Sequence, residues 1–342
     1  MEHWVERRNP TLQYSATSLS SRRSILPMST AGDHPPLAPE LKKISGLKVK
    51  TGEPLARYTS MKVGGPADYF VEVENEAALA ELLRLLNRHQ ENFWLLGNGS
   101  NVLISDQGVR GAILRLGGEF KKTRWDEADT ATVTTGAAVS IGQLARDAAR
   151  RGYAGLEFAE GIPGSVGGAL YMNAGAYGSE LEQLVNRVEL MKPGGEPLCL
   201  TRAEMTFSYR DSHLPFGAVV MRVRMRLRKE EPAQVSARLR EFARKRKASQ
   251  PSGSPNSGSM FRNPPGDFAG RLIDAAGLKG TRLGGCQISE RHGNFIVNQG
   301  GAKAVEVREL MELAKREVQK KFGIELVPEV KLLGDWKSQE ED

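Results

Sequence analysis

The residues best suited to chemistry lie in a short stretch, SGSMFRNPPGD (257–267), which brings a hydroxyl, a guanidinium and an amide close together. They belong to Ser259, Arg262 and Asn263, and two prolines follow at once. Proline cannot extend a helix and has no backbone N–H, so we expect this segment to be stiff. A serine alone is most often a turn or cap residue. Its chemistry therefore depends on what faces it.

Two more candidates lie in FSYRDSHL (207–214) and LVPEVKLL (326–333). In the first, Arg210 stands between Tyr209 and Asp211, and a neighbouring Arg–Asp pair is usually a surface ion pair worth little energy. In the second, Glu329 would be an ordinary strand carboxylate in most proteins. Each residue is a weak signal by itself, so only their joint pattern can indicate a site.

The glycine-rich stretch GNGSNVLISD (97–106) follows an apolar strand. Glycine lets successive backbone N–H groups converge on an anion, so this loop could form a nest for a diphosphate. A Rossmann fingerprint is rejected, because that motif needs a third glycine and a helix that begins inside the loop. A tight β-turn is the alternative for this loop taken alone.

Two further stretches share this character. Residues 155–178 hold seven glycines in 24 positions, and TSMKVGGPADY (59–69) places paired glycines before a strand. A glycine costs about 1 kcal/mol in a regular element, so this density makes sense where backbone must approach a ligand closely. The three stretches together predict a site for one extended dinucleotide.

Composition restricts the class of protein. The chain has 342 residues, 39% hydrophobic and 26% charged, which is typical of a soluble globular protein of two or three domains. No apolar run is long enough for a transmembrane helix. With only Cys199 and Cys286 and no metal-ligand spacing, we expect no disulfide scaffold, no metal and a reducing cytoplasm. The net charge of +7 fits nucleic acid, a membrane surface or an anionic small molecule.

Residues 1–40 are rich in Ser, Pro and Arg without apolar periodicity, so we expect them to be disordered. They lack the apolar segment of a secretory signal. Residues 7–30 resemble an organelle transit peptide in composition, and a mis-assigned start, with the true one at or near Met28, is the alternative.

The rest of the chain alternates short strands with capped helices, an α+β pattern. Strands are predicted at 67–74, at 92–104 around the glycine loop and at 324–334 around Pro328, and helices at 75–89, 140–152 and 304–323, with N-caps at Asn75 and Ser140 for the first two. Of the basic stretches, 221–230 alternates apolar residues with arginine and predicts a strand with one buried face. The other, 240–247, predicts a solvated helix surface.

Seven motifs, in order from about residue 45 to the end, carry a resemblance to a known family. They are TSMKVGGPA, LGNGSNVLISD, GIPGSVGGALYMNAGAYG, FSYRDS, GSMFRNPPGDFAGRLID, GGCQISERHGNFIVN and GIELVPEV. The chain resembles the UDP-N-acetylenolpyruvoylglucosamine reductases, flavoenzymes of bacterial peptidoglycan precursor synthesis. The resemblance implies NADPH-driven reduction of UDP-N-acetylglucosamine enolpyruvate to UDP-N-acetylmuramate, with FAD bound non-covalently.

The resemblance also implies a fold. A two-lobed FAD-binding region of the vanillyl-alcohol-oxidase (PCMH) type would precede a C-terminal α/β substrate-binding domain. The expected partition is a disordered or mis-assigned extension at 1–45, FAD-binding lobes at 46–118 and 119–230, and the substrate-binding domain at 231–342.

Single residues receive roles by the same resemblance. Arg210, Ser259 and Glu329 match the catalytic trio. Hydride transfer from FAD would create an enolate-like dianion, which Arg210 opposes and Ser259 protonates; Glu329 would polarise the enol or orient the hydroxyl. The implied substrate-binding residues are Asn263, Tyr209 and Arg246, and the implied cofactor-binding residues are Lys62, Gly64, Gly65, Gly97, Asn98, Gly99, Ser100, Asn101, Gly136, Gly161, Pro163, Gly164, Ser165, Gly167, Gly168 and Asn173.

The chain departs from the family pattern in places. Asn98 stands where glycine is common, which is tolerable if it adopts a positive φ. The segment between Asp211 and Val219 is short, which indicates the compact type without an extra tyrosine loop over the substrate. The first 40 residues have no counterpart.

Two rival functions remain. A related FAD-dependent oxidase of a small alcohol would often tether FAD through a histidine, yet no histidine lies in or beside the glycine loops; the five are His3, His34, His89, His213 and His292. A basic nucleic-acid-binding protein would use 221–247, which lacks interleaved aromatics and any recognised motif. We expect no nucleic acid, no membrane insertion and a monomer; nothing distinguishes NADPH from NADH.

Overall fold

The structure is a computed structural model and describes residues 37–126 and 131–336. Of the extension predicted at 1–45, residues 1–36 lie outside the described residues. Beyond it the chain is folded, since Ala38–Leu41 forms helix α1 and both Leu41 and Ile44 are buried. The prediction of disorder is therefore wrong for residues 38–45.

The first lobe is a mixed sheet with one long helix beside it. Its elements are β1 Leu47–Pro54, β2 Pro66–Val73, α2 Glu76–Arg88, β3 Phe93–Leu95, β4 Val102–Ile104 and β5 Val109–Leu116. The strand order is β1–β2–β5–β3, antiparallel for the first pair and parallel for the others. Helix α2 forms because the Asn75 side chain accepts a hydrogen bond from Ala78 N at 2.9 Å and its leucines are buried. The predicted strands and helix of this lobe are confirmed.

The second lobe is an antiparallel sheet of order β12–β11–β13–β7–β6. Its elements are β6 Thr123–Asp126, β7 Thr132–Gly136, α3 Ile141–Arg150, β8 Tyr153–Ala154, α4 Val166–Tyr171, β9 Gly175–Ala176, β10 Ser179–Glu180, β11 Val185–Met191, β12 Pro197–Thr201, β13 Val219–Arg226 and β14 Arg228–Lys229. Strand β13 buries Met221, Val223 and Met225 in alternation, so the predicted period of two is confirmed. Ser140 caps α3 as predicted.

After helix α5 Pro232–Ser249, the C-terminal region packs two helices on a small antiparallel sheet of order β15–β18–β17–β16. Its elements are β15 Asn256–Ser259, α6 Ala269–Ala275, β16 Arg282–Leu283, β17 Cys286–Ile288, β18 Phe295–Asn298, α7 Ala304–Phe322 and β19 Lys331–Leu333. Helix α7 buries the predicted face and ends at Gly323, whose φ of 68° suits glycine.

The predicted strand 324–334 is correct only at its end. Regular pairing is confined to β19, because Pro328 has no backbone N–H to donate and makes only an isolated bridge with Phe261. Glu329 thus lies in the irregular segment between that bridge and β19.

The C-terminal region is anchored on the first lobe. Strand β19 pairs in parallel with β4, and Met61, Val63 and Leu103 belong to the same buried core as α6 and α7. The two carboxylate oxygens of Asp106 accept from Ala304 N at 2.9 Å and Val305 N at 3.0 Å, the first backbone donors of α7. Hydrophobic and polar contacts therefore join regions far apart in sequence.

Helix α5 belongs with the second lobe. Val235 packs against Ala149 and Ala154, and Arg238 forms an ion pair with the buried Glu157 at 2.8 Å. The predicted boundary at residue 231 assigned this helix to the C-terminal domain. We propose a boundary after Ser249 instead, because the helix buries its apolar residues on the lobe that precedes it.

Loss of the Asp106 contact should weaken the anchor. Asp106→Ala removes two acceptors from the N-terminus of α7, so we expect the free energy of unfolding to fall by about 1 kcal/mol. Urea denaturation measures the change. Glu309→Ala, which removes an exposed carboxylate from the same helix, should stay within about 0.5 kcal/mol of the unchanged protein. Equal unfolding midpoints for the two variants would contradict the anchoring role.

Candidate active site

An ion pair between Arg210 and Glu329 forms the centre of the candidate site. Arg210 Nε donates to Glu329 Oε1 at 3.0 Å, and the two side chains are only 20% and 15% exposed. Arg210 comes from a turn of the second lobe and has a left-handed φ of 61°. Glu329 comes from the segment before β19. Two of the predicted catalytic residues, 119 positions apart, are thus brought together.

Ser259 lies at the same place, at the end of β15. The next residue, Met260, accepts from Glu329 N at 2.8 Å through its carbonyl, which ties the two segments together. Ser259 is half-buried, and its hydroxyl makes no hydrogen bond to another residue in the described ranges. It is therefore available to a substrate.

The stiffness around Ser259 has a source that the sequence did not reveal. The buried Asn294 accepts from Phe261 N at 2.9 Å and donates to Phe261 O at 2.8 Å, fixing the backbone two residues after the serine. Ser259 itself pairs with Phe295 across β15 and β18. The serine is held in place by strand pairing and by the side chain of Asn294. Both act nearer to Ser259 than the two prolines do.

Burial dominates the electrostatics of Glu329. It raises the pKa of the Glu329 carboxyl above its ordinary value of 4.5. The charge and hydrogen bond of Arg210 oppose that rise in pKa, and weaker opposition comes from Arg262 and Lys331. The site thus surrounds one desolvated carboxylate with cations. Arg262, the guanidinium of the stretch 257–267, also donates through Nη2 to the carbonyl of Arg210 at 3.5 Å.

Asn263 and Tyr209, predicted to bind substrate, lie beside this pair. Asn263 Oδ1 accepts from Ala269 N at 3.1 Å, near the start of α6, and Asn263 N donates to Tyr209 OH at 3.5 Å. The guanidinium carbon of Arg210 lies 5.0 Å from the centre of the Tyr209 ring. Because its oxygen is engaged, the Asn263 amide has its NH₂ group left as a donor.

Arg246, the third predicted substrate-binding residue, is on α5. Burial lowers the pKa of its guanidinium, Tyr177 and Glu160 oppose that fall, and charge repulsion from Arg210 adds to it. Its Nε is buried without a partner among the described residues, while Nη1 donates to Gln250 at 3.2 Å. The prediction that 240–247 is a solvated surface is therefore wrong at Arg246. A half-buried cation with an unused donor suits an anionic ligand.

The predicted glycine loops meet one another. A Cβ placed on Gly97 would stand 2.5 Å from Ser165 Oγ, and one on Gly164 would stand 3.8 Å from Ser100 Oγ. A Cβ on Gly161 would stand 2.6 Å from Arg246 Cδ. The stretch 97–101 thus faces the stretch 161–168, with α5 alongside. A side chain at Gly97 would fill the space between the two stretches, and one at Gly161 would fill the space next to Arg246.

A basic pocket of ≈ 330 Å³ opens beside the first glycine loop. It is lined by Arg57, Tyr58, Thr59, Ser60, Lys62, Asn98 and Arg115. Three cations and three hydroxyls fit the phosphates of a dinucleotide. Asn98 is exposed there without a positive φ; Gly99 takes the left-handed conformation instead, with φ 62°. The conformation anticipated for Asn98 is therefore wrong.

Two of the predicted cofactor residues make contacts within the protein. Asn173 is fully buried, and its amide donates to Glu180 at 2.9 Å and to Ser208 O at 3.3 Å, so its side chain holds the turn that carries Arg210. Gly136 is buried against the carbonyl of Phe120. For both residues a cofactor contact stays a prediction.

The remaining predicted cofactor residues divide by position. Asn101 joins the glycine loop to the site, because its Nδ2 donates to Glu329 O at 3.2 Å and its carbonyl accepts from Lys331 N at 3.0 Å. Gly167 packs against Ala137 in the lobe interior. The others lie along the loops themselves: Gly64, Gly65, Pro163 and Gly168, of which Pro163 and Gly168 are exposed.

Two kinds of site are not seen in residues 37–126 and 131–336. No three His, Cys, Asp or Glu side chains cluster as metal ligands would. Among the helices of the same ranges, none combines the length and apolarity that a bilayer crossing requires.

Comparison with known families supports a flavin site. Residues 67–201 match the FAD binding domain family. That range contains the loops 97–101 and 161–168, whose converging backbone and adjoining cations suit a dinucleotide. The fold and the site together define an FAD-dependent oxidoreductase with a PCMH-type flavin-binding region and a separate C-terminal domain.

The C-terminal domain specifies the family. Residues 250–333 match the C-terminal domain of UDP-N-acetylenolpyruvoylglucosamine reductase. The reductase 2 of Symbiobacterium thermophilum is 45% identical over 302 residues, 87% of this chain and 97% of that protein. The reductase of Bacillus velezensis is 40% identical over 84% of this chain and 94% of its own length. The chain belongs to the UDP-N-acetylenolpyruvoylglucosamine reductase family.

A solved structure agrees with this assignment. The crystal structure of the reductase from Thermus caldophilus is 39% identical and superposes with a TM-score of 0.72, over 84% of this chain and 98% of that one. The match covers both the flavin-binding lobes and the C-terminal domain, so the predicted fold class is confirmed.

The raised pKa of Glu329 has a consequence for stability. Because the native carboxyl holds its proton more tightly than the unfolded chain does, its ionisation lowers stability as pH rises through 4.5 and above. Between about pH 4 and pH 7 the unchanged protein should therefore lose stability relative to Glu329→Gln, so the free energy of unfolding of the variant minus that of the unchanged protein should increase with pH. Urea denaturation across this range measures the difference.

Glu309→Gln, at an exposed position, serves as the control. The difference between its free energy of unfolding and that of the unchanged protein should stay constant over the same pH range. A difference for Glu329→Gln that moves the other way, in favour of the native glutamate at higher pH, would show that attraction to Arg210 outweighs desolvation.

Proposed function

We propose that this chain reduces UDP-N-acetylglucosamine enolpyruvate to UDP-N-acetylmuramate, with NADPH as reductant, Arg210 as the charge-stabilising residue and Ser259 as the proton donor. The observation that supports it best is the meeting of Arg210 and Glu329 at 3.0 Å beside Ser259. These residues come from three separate segments, and family membership alone does not require them to converge.

The chain's own residues fit the cofactor. FAD, when bound, supplies the hydride that adds to the terminal carbon of the enolpyruvyl group. The loops 97–101 and 161–168 would hold its diphosphate through backbone N–H groups, with Lys62 and Asn98 in the adjoining basic pocket. None of the three described histidines lies in the glycine loops: His89 pairs with Glu40, His292 contacts Phe295, and His213 bonds to Ser208 in the turn that carries Arg210. This favours non-covalent FAD over the tethered cofactor of the rival oxidase.

Arg210 is arranged to oppose negative charge on the substrate carboxylate. Only its Nε is committed to Glu329, and that bond orients the guanidinium while leaving both terminal NH₂ groups for the substrate. Hydride addition drives electron density toward the carboxylate, so a preorganised cation there lowers the barrier. The free NH₂ group of Asn263 adds a neutral donor nearby.

Ser259 then completes the reduction. Its hydroxyl gives a proton to the α-carbon, so hydride and proton together saturate one C=C bond, and the serine recovers its proton from solvent. A serine is a weak acid, but the substrate dianion is a strong base and the rigid strand holds the donor in place. The bond from Arg210 makes Glu329 the group that orients the guanidinium.

The cysteines and the charged site bear on where the chain acts and what it binds. Cys199 and Cys286 are both free thiols, which suits a reducing cytoplasm. The substrate and NADPH are both polyanions, and the half-buried Arg246 offers an unused donor, its buried Nε, to the diphosphate of either. We propose that the chain acts as a monomer.

Replacing the proton donor should separate the two half-reactions. In Ser259→Ala, NADPH should bleach the flavin at the rate seen in the unchanged protein, while reoxidation by the enolpyruvyl substrate should slow by about 10²–10⁴-fold. Anaerobic stopped-flow absorbance measures each step. Ser236→Ala, a half-buried serine on α5, should behave normally in both. Equal slowing of both steps, or of neither, would remove Ser259 from the proposal.

A conservative change at Arg210 should be just as revealing. Arg210→Lys keeps the charge but loses the planar fork that can bind Glu329 and substrate at once. We expect substrate reduction to slow by about 100-fold, as for a misplaced reacting group. Single-turnover rates at saturating substrate measure this. Turnover close to normal would show that the guanidinium is not part of the chemistry.

A further inference from the structure

The turn that carries Arg210 is held in an unusual backbone conformation. We call residues 208–213 the Arg210 turn. Ser208 and Asp211 exchange backbone hydrogen bonds at 2.9 and 3.1 Å, which closes the turn around Tyr209 and Arg210. Arg210 has φ 61° and His213 has φ 44°, both left-handed without glycine. Such conformations cost free energy and persist only where surrounding contacts enforce them.

Side-chain hydrogen bonds supply that enforcement, and the central one comes from His213. A hydrogen bond of 2.8 Å joins His213 Nε2 and Ser208 Oγ, across the base of the turn. His213 N also donates to Asp211 Oδ1 at 2.8 Å. Outside the turn, Asn173 Nδ2 donates to Ser208 O at 3.3 Å, so Ser208 is held from two sides.

His213 has no other evident structural task. Its side chain is 44% exposed, so burial of the ring is not the reason for its placement. Its Nδ1 lies 4.0 Å from Asp211 Oδ1, within the same turn. Among the described residues, the polar contacts of its ring are therefore with the Arg210 turn itself.

We propose that His213 is a positioning residue for Arg210. Its ring bond to Ser208 closes the turn and keeps the guanidinium aimed at Glu329 and at the substrate carboxylate. This inference rests on the role proposed for Arg210. Without the bond, the strained residues can relax toward ordinary φ values, and Arg210 spends less time in its productive orientation.

The test compares His213→Leu with His213→Gln, since leucine removes the hydrogen bond and glutamine can restore it to Ser208. His213→Leu should slow substrate reduction at saturating substrate by about five- to tenfold, the worth of one hydrogen bond. Flavin bleaching by NADPH should stay within about twofold of normal, since it does not use Arg210. His213→Gln should recover most of the loss. His89→Leu, at a histidine paired with Glu40 on the first lobe, is the matched control and should be normal.

A second readout does not depend on activity. Amide hydrogen exchange at Ser208 and Asp211 should quicken in His213→Leu and not in His89→Leu, because the backbone pair opens more often. Ser208→Ala should reproduce the kinetic defect, and the double variant Ser208→Ala/His213→Leu should be no slower than either single variant. Additive losses, or unchanged exchange and unchanged rates, would overturn the inference.

The outcomes distinguish this inference from the proposed function. If Arg210→Lys reduces substrate normally, the role of Arg210 itself fails. If Arg210→Lys is slow while His213→Leu matches the unchanged protein, only the positioning role of His213 fails. Should His213→Leu lose its fold by circular dichroism, Ser208→Ala and His213→Gln decide the question: normal exchange and rates in Ser208→Ala would overturn it.

Discussion

The ion pair between Arg210 and Glu329 is the contact on which the site depends. It joins the second lobe to the segment that precedes β19, and β19 is itself paired with the first lobe through β4. The ion pair and the strand pair therefore link three parts of the chain: the second lobe, the segment before β19 and the first lobe. A charged pair shielded from water needs good geometry to offset its desolvation. The Arg210 turn positions the guanidinium, and the bridge between Phe261 and Pro328 positions the segment that carries Glu329.

The same pair explains why cations gather here in excess. Burial raises the pKa of Glu329, and Arg262 and Lys331 add to Arg210 in opposing that rise. Arg246 is repelled by Arg210 and attracted by Glu160, but no carboxylate lies within hydrogen-bond reach of it among the described residues. The cations named here outnumber the two carboxylates, Glu329 and Glu160. The proposed substrate, which carries a carboxylate and a diphosphate, would supply further negative charge.

Local signals in the sequence were sufficient for the elements but not for the partners of buried polar groups. Caps at Asn75 and Ser140 and the buried face of α7 follow from spacing over a few residues, and they are confirmed. Asn173 was assigned to the cofactor only by the resemblance of its motif to the family. Its amide binds the carbonyl of Ser208, 35 residues away, and no local pattern encodes that contact. The burial of Arg246 has the same cause, since it depends on where α5 packs.

The proposed catalytic trio was predictable only by resemblance, because arginine, serine and glutamate are individually common. The structure adds a physical link between Glu329 and the glycine loop 97–101. Asn101 ends the stretch 97–101 and binds both the carbonyl of Glu329 and the backbone N–H of Lys331. Strand β4 begins at the next residue and fixes β19 in register with it. A single parallel strand pair thus sets the distance between the anion-binding loop and the carboxylate. Any shift of that register by one residue would displace Glu329 from Arg210 and from the loop together, which couples cofactor and substrate sites through backbone geometry alone.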